Sequence, residues 1–414
     1  MEFKRIVVVG AGPAGMMAAI RASEIQQGVT LLEKNPVLGK KLLLSGKGRC
    51  NLTNSCQLNT FLERFSKNGE FLRDAFKSFF NQDLINFFEK RGLKLKVERQ
   101  LRVFPVTDKS NSIIEVLKKE LDKNKVKILY KTQLKDIITR DNKIKGLLLA
   151  DGLFMPADKI ILATGGISYG FTGSTGEGLE IARKLGHSVT PLHAGLVPLE
   201  TREKYPGILR GLTLKNISLK FSDGQRQANT EIGELLFTDF GISGPLVLSS
   251  STKIVDWLTQ KRSVYVEIDL KPGLSREQLE GRLLREFKEN PKKTLKNTLK
   301  NLLPQKLIAV FLELSKINPY KKVSQVTTQE RLALISLFKS LRLNIIRPRP
   351  IDEAMVTRGG VSLKEINPRT MESRRIKGLY FAGEMIDMDA DTGGFNLQAA
   401  FSTGYLAGES SALN

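Results

Sequence analysis

Residues 6–16 read Ile6-Val7-Val8-Val9-Gly10-Ala11-Gly12-Pro13-Ala14-Gly15-Met16, and this stretch decides the fold. The apolar, β-branched run from Phe3 to Val9 reads as a strand buried on both faces of a parallel sheet. Met16 to Glu24 reads as a helix and Val29 to Leu32 as a second strand, which makes one βαβ unit. The glycines between them form a GxGxxG turn. Gly10 permits the tight turn, Gly12 lets the backbone approach a pyrophosphate, and Gly15 lets the helix pack on the sheet. The helix start adds N–H groups and the positive end of its dipole. Glu33 closes the second strand 18 residues after Gly15, where a carboxylate accepts the ribose hydroxyls of a bound adenosine. Gly10, Gly12, Ala14, Gly15, Glu33 and Lys34 are therefore the expected contacts of a dinucleotide.

This motif leaves NAD and FAD open; later segments decide between them. Tyr380-Phe381-Ala382-Gly383-Glu384, followed by Asp387, reads as a late strand ending on a glycine and an acid. In two-dinucleotide flavoproteins such a strand brings an acid to the ribityl chain of the flavin. Ala163, Thr164 and Gly165, after the buried strand that begins at Ile160, form the matching middle element, and together they give an FAD layout. Lys41 leads into the basic, glycine-rich loop Ser45–Asn51. There Ser45, Gly46, Gly48, Arg49, Cys50 and Asn51 are expected to cradle phosphates or border the flavin ring. Lys47 or Arg49 would offset negative charge. Gly393, Gly394, Phe395 and Asn396 precede a helix whose N-terminus would face the flavin's pyrimidine edge and stabilise its anionic reduced form.

The chain has 414 residues, enough for two or three domains at about 150 residues each. A hydrophobic content of 41% with 26% charged residues excludes wholesale disorder. The longest apolar stretch, Ile6 to Ile20, is too short for a membrane span. Cys50 and Cys56 fit neither a disulfide framework nor a zinc pattern, so a reducing cytoplasm is the expected location. Two histidines, His187 and His193, leave little room for a metal site or a Ser-His-Asp triad, and no metal is expected.

The net charge of +22 favours a polyanionic partner. Residues 271–350 alone hold 18 Lys or Arg against 6 Asp or Glu, which points to a localised basic face. Residues 57–92 read as Phe-rich helices with their aromatic faces packed on the sheet. Past residue 190, short strands such as Ser218–Ser222 and Val264–Leu270 mark a small β-domain. From Ser275 to Leu341 the pattern is helical, punctuated by Pro291, Pro304 and Pro319.

Five separated motifs, in order, carry a resemblance. They are Gly39 through Asn54, Thr172 through Gly178, Gly233–Thr238 with Gly241–Pro245, Thr357–Val361, and Thr392–Gln398. Over nearly its whole length the chain resembles the bacterial BaiN/RdsA-like, or aminoacetone-oxidase-like, family of FAD-dependent oxidoreductases. The resemblance implies an α/β fold with a discontinuous, two-dinucleotide-type FAD-binding Rossmann-like domain, an inserted β-domain and a helical subdomain. The expected boundaries are 1–190 and 358–414 for the two parts of the FAD domain. The β-rich domain would take 191–274 with 342–357, and the basic helical subdomain 275–341. NAD(P)H is the implied transient electron donor. Two residues depart from the family pattern: Asp239 stands where a His is expected, and Gly170 where a Pro is expected.

The family's members are associated with bile-acid reduction, aminoacetone oxidation and dihydrouridine formation in ribosomal RNA, so three readings follow. The favoured one is hydride transfer from flavin N5 to a uridine of large-subunit ribosomal RNA, held by the basic 271–350 region. Cys50 would then supply the proton at C5, or Asp239 would take a proton role. The second is reduction or oxidation of a small enone, steroid-like acid or amino ketone. The third is a non-catalytic flavin-bound RNA-binding factor.

Overall fold

The structure is a computed structural model that describes residues 4–414. Phe3, expected to open the first strand, lies outside the described residues. The chain forms two compact units, one of residues up to Gly195 together with Ile351–Asn414, the other Leu196–Pro350.

The first unit is built on a five-stranded sheet. Its order is Leu379–Phe381, Lys159–Leu162, Ile6–Val9, Val29–Leu32 and Lys127–Leu129, with every pair parallel. Ile6–Val9 is buried at all four positions, as its uniformly apolar sequence requires. The first helix, Pro13–Ile25, begins earlier than the apolar pattern alone indicates. Pro13 fits its first turn because the missing N–H has no intrahelical partner there anyway. The last strand comes from the far end of the chain and pairs with Lys159–Leu162, so the sheet is completed only when the C-terminal segment returns.

The final helix, Phe395–Leu413, lies against the first. A Cβ on Gly404 would lie 2.2 Å from the Ala14 carbonyl oxygen, and one on Gly408 2.3 Å from that of Ala18. The two helices therefore touch backbone to backbone. The Phe-rich segment packs on this last helix rather than on the sheet. Phe61 meets Phe395 edge-on at 4.7 Å, and Phe79 stacks on Tyr405 at 4.6 Å.

The second unit is a closed antiparallel barrel. Thr213–Ser222, Gly233–Phe237, Gly241–Ser243, Leu199–Thr201, Leu341–Pro348 and Val264–Asp269 pair in that order, and the last pairs back onto the first. Closure satisfies the strand edges that an open sheet would expose. Helices Pro245–Thr259, Arg276–Glu289, Gln305–Ser315 and Thr328–Lys339 share one apolar core with these strands. Phe311 and Phe338 meet there with ring centroids 4.7 Å apart. No helix among the described residues is long and apolar enough to cross a membrane.

Candidate dinucleotide site

All five parallel strands point their carboxyl ends to one edge of the sheet, where open α/β sheets bind ligands, and four of them lead into residues of the site. The first delivers the glycine turn. Gly10 has φ +99°, and a Cβ there would lie 2.6 Å from the Ala163 carbonyl oxygen. A Cβ on Gly15 would lie 1.8 Å from the Gly10 carbonyl oxygen. Both glycines are therefore required by the protein's own packing.

Gly12 is different. Its backbone is extended (φ −75°, ψ −177°), and a Cβ there would meet nothing within 4 Å. Neither strain nor crowding inside the chain demands glycine at this position, so its smallness leaves room for an outside group. Gly12 precedes a helix that has no side-chain cap and no acid in its first turn. Its leading N–H groups suit a pyrophosphate, and the site fits FAD on this observation.

Glu33, buried at the end of the second strand, holds this turn in place. One carboxylate oxygen accepts the Ala11 N–H at 2.9 Å; the other accepts both the backbone N–H and the side-chain amide of Asn35 at 2.8 Å. Lys34 reaches Thr175 Oγ1 at 2.7 Å and Glu177 at 3.1 Å, while Asn35 donates to the Thr172 carbonyl at 3.0 Å. The sequence reading missed Asn35, which follows no motif; it ties the end of the second strand to the Thr172–Gly178 segment.

Strands Lys159–Leu162 and Leu379–Phe381 bring Ala163–Gly165 and Gly383–Glu384 alongside. The Ala163 N–H donates to the Val9 carbonyl at 2.9 Å, and Thr164 Oγ1 lies 3.1 Å from Met385 Sδ. Gly165 has φ +77°, and a Cβ there would come within 3.0 Å of Ser174 Oγ. Glu384 is the hub of the middle of the site. It accepts from Lys41 Nζ at 2.6 Å, from Ser168 Oγ at 3.0 Å and from the Thr357 N–H at 2.7 Å. Lys41 also donates to Ser168 Oγ at 2.7 Å. Ser168 was not singled out from the sequence, and Thr357 only as the start of a motif, because their partners Lys41, Glu384 and each other are 27 to 216 residues away.

The Leu42–Gly48 segment continues as a tightly folded loop in which Gly46, Lys47, Gly48 and Cys50 all have positive φ. Ser45 Oγ donates back to the Leu42 carbonyl at 2.7 Å. The loop meets the chain's other end. With the Asn51 amide oriented to satisfy both partners, its oxygen accepts the Gly394 N–H at 3.1 Å and its nitrogen donates to the Thr53 carbonyl at 3.2 Å. A Cβ on Gly394 would lie 2.4 Å from the Thr53 backbone, and Asn54 reaches the Gly393 carbonyl at 3.3 Å. Phe395 turns into the aromatic core. Asn396 closes the Ala390–Asn396 loop rather than capping the helix, by bonding the Ala390 N–H and carbonyl at 2.9 and 2.8 Å.

Three expected residues stand differently from the roles first read for them. Arg49 is held by Glu98 and Asp108 and lies over the Phe104 ring at 4.2 Å, so its charge is matched within the protein. The guanidinium in turn holds the Glu98 carboxyl below the usual range; Asp108 is held low chiefly by Lys96, then by Arg49. Asp239 is exposed, in the hairpin turn between two barrel strands of the second unit. Cys50 is fully buried in the apolar core, and burial pushes its thiol up to about 12. A thiol so enclosed keeps its proton and packs the loop. The folded protein is thus expected to leave Cys50 unmodified by iodoacetamide at neutral pH, with modification appearing on denaturation. Rapid labelling of Cys50 in the native state would contradict this placement.

Asp387 lies half-buried two residues before Asp389, and its N–H donates to the Val361 carbonyl at 3.1 Å. Asp389, which the sequence reading passed over, is buried, and that burial raises its carboxyl. It accepts from Ser66 Oγ at 2.6 Å and lies 3.8 Å from Arg358 Nε. Asp387, Asp389 and Asp391 stand at alternate positions, and of these the sequence reading picked Asp387.

Fold and site together define an FAD-dependent oxidoreductase. The model of the HI0933-like protein Rossmann domain family matches residues 4–410, and the chain belongs to that family. It is 34% identical over 411 residues to the 3-dehydro-bile acid delta(4,6)-reductase of Clostridium scindens, covering 99% of each chain. It is 31% identical over 408 residues to the ribosomal RNA dihydrouridine synthase of Haemophilus influenzae, covering 98% of this chain and 97% of that one. Among solved structures, the 3-ketosteroid delta1-dehydrogenase of Sterolibacterium denitrificans shares the fold. Its TM-score is 0.54 at 12% identity, over 99% of each chain.

Proposed function

We propose that the chain reduces the C5–C6 double bond of a uridine in large-subunit ribosomal RNA, giving dihydrouridine. The observation that carries this choice of substrate is the concentration of positive charge in residues 271–350. A small neutral or singly charged substrate has no use for such a surface, whereas RNA phosphates do. A full-length relative named as a ribosomal RNA dihydrouridine synthase supports the same reading. A cytoplasmic location follows from it.

When bound, FAD would supply the two-electron chemistry that couples oxidation of NAD(P)H to reduction of the substrate's double bond. The chain's own residues do the holding. In this reading residues 1–190 and 358–414 are the two parts of the FAD domain. Gly12 and the first helix's N-terminus bind the pyrophosphate, and Glu33 the adenosine ribose. Asp387 would serve the ribityl chain, and the N-terminus of Phe395–Leu413 would hold the pyrimidine edge, where its dipole would stabilise negative charge. The Ser45–Asn51 loop and Gly393–Asn396 border the ring. Cys50, enclosed in the core, is not open to a substrate as the donor of the proton at C5.

The test is nucleoside mass spectrometry of large-subunit ribosomal RNA from cells with and without the gene. One dihydrouridine is expected to vanish on deletion and to return with the wild-type gene. An unchanged dihydrouridine content sinks the RNA reading. The second reading, reduction of a steroid-like enone, is favoured by the 34% identical bile acid reductase. Turnover of NADPH with such an enone by the purified protein would then be the activity to find.

A further inference from the structure

Within the second unit, residues 291–296 and 319–324 run antiparallel to one another. Thr294 pairs with Lys322, the Leu295 N–H donates to the Lys321 carbonyl at 2.9 Å, and the Val323 N–H donates to the Lys293 carbonyl at 3.0 Å. The Lys296 N–H reaches the Pro319 carbonyl at 3.1 Å. Leu295 and Val323 are buried beneath and anchor both segments in the unit's core. This pairing puts Lys292, Lys293, Lys296 and Lys322, all exposed, on the same two segments as Tyr320, which is 72% exposed.

The neighbouring charges sharpen the pattern. Lys321, between Tyr320 and Lys322, is turned to Glu330 and bonds both its carboxylate oxygens at 2.7 and 2.8 Å. Glu330 is thereby matched, and its other oxygen contacts go to Thr327. Glu289, exposed at the end of helix Arg276–Glu289, is the acid that adjoins the ridge in sequence. Four ammonium groups on two short paired segments repel one another unless a polyanion lies across them. An aromatic ring among them adds a flat face on which any base can stack. A duplex keeps its bases stacked on each other and offers none to such a ring. The chemistry that uses both features is an unpaired stretch of RNA.

We propose that this ridge is a docking site for single-stranded RNA, with one base stacked on Tyr320 and flanking phosphates on Lys292, Lys293, Lys296 and Lys322. The proposal rests on the RNA reading given above and locates where that RNA is gripped outside the flavin site. It accords with a substrate uridine that must leave its own stack to be reduced.

The test is a binding titration of the full-length protein with a labelled oligouridylate of about twelve nucleotides, within the usual site size, at several salt concentrations. Tyr320→Ala is expected to weaken binding about tenfold or more, and Tyr320→Phe to stay within about twofold of wild type. Each Lys→Gln change at the four positions is expected to weaken binding and to lower the slope of log affinity against log salt by about 0.7. FAD content and thermal unfolding should be unchanged in all of these surface variants. If wild type binds no oligonucleotide even at low salt, the ridge falls, and the RNA reading is decided by the dihydrouridine measurement. If wild type binds with strong salt dependence and the variants bind equally well, the ridge falls and the RNA reading stands. If the lysine variants weaken binding but Tyr320→Ala does not, or a duplex competes as well as the single strand, the ridge is a plain polyanion surface and the proposal is overturned.

Discussion

Gly12→Asp is expected to give a well-folded protein that has lost its FAD. The position precedes the first helix, a Cβ there meets nothing, and the helix lacks a side-chain cap. Aspartate is a favoured capping residue, so the apoprotein should unfold at the wild-type urea concentration or slightly above it. The same carboxylate would occupy the space left for the pyrophosphate and repel its charge. A loss of at least about 100-fold in FAD affinity, about 3 kcal/mol, is expected. Gly15→Ala should behave in the opposite way. Its methyl group would sit 1.8 Å from the Gly10 carbonyl oxygen, so the helix must move off the strand. A destabilisation of about 3 kcal/mol, present with or without FAD, is expected from such overpacking. The pair separates a glycine kept for a ligand from a glycine kept for the fold. Retention of FAD by Gly12→Asp would remove the pyrophosphate from this turn.

Glu384→Ala is expected to lower the unfolding free energy of the apoprotein by about 3 kcal/mol. The change strands the Lys41 ammonium, about 23% exposed, and leaves the Thr357 N–H without its acceptor. Lys41→Met should cost less, about 1–2 kcal/mol, because Ser168 and the Thr357 N–H still donate to the carboxylate. Glu384→Gln should fall between them, since it keeps an acceptor oxygen but loses the charge. Urea unfolding of the three variants reads out this ranking directly. Equal stability of Glu384→Ala and wild type would show that this carboxylate does not tie the basic loop to the late strand.

How far the sequence could be read depends on the distance over which each feature is decided. The glycine turn is local. Gly10, Gly12 and Gly15 sit within six residues between an apolar strand and a helix, and backbone sterics make that pattern nearly self-sufficient. The position of Glu33 at the end of the second strand was legible for the same reason, but its bonds to Ala11 and Asn35 were not. Ile6–Val9, Val29–Leu32 and Lys159–Leu162 were legible because strands buried on both faces are mostly apolar, even though Thr30 and Lys159 interrupt them. The basic excess of residues 271–350 was likewise a matter of counting.

Tertiary structure decided what depends on which distant surfaces meet. Glu384 reads in the sequence as an acid after a strand, but its partner Lys41 is 343 residues away and Ser168 is 216 away. Arg49 reads as a loop cation, yet Glu98 and Asp108 claim it. Cys50 reads as a thiol in a flavin loop, but burial in the core sets its chemistry. Closure of the six-stranded barrel rests on Val264–Asp269 pairing back onto Thr213–Ser222, and strands as short as Gly241–Ser243 carry too little alternation to announce their place. Local sequence determines backbone conformation and which face of an element is apolar. The partners of a charged or polar group are chosen by what the completed fold brings within hydrogen-bond distance, where desolvation makes each such contact matter.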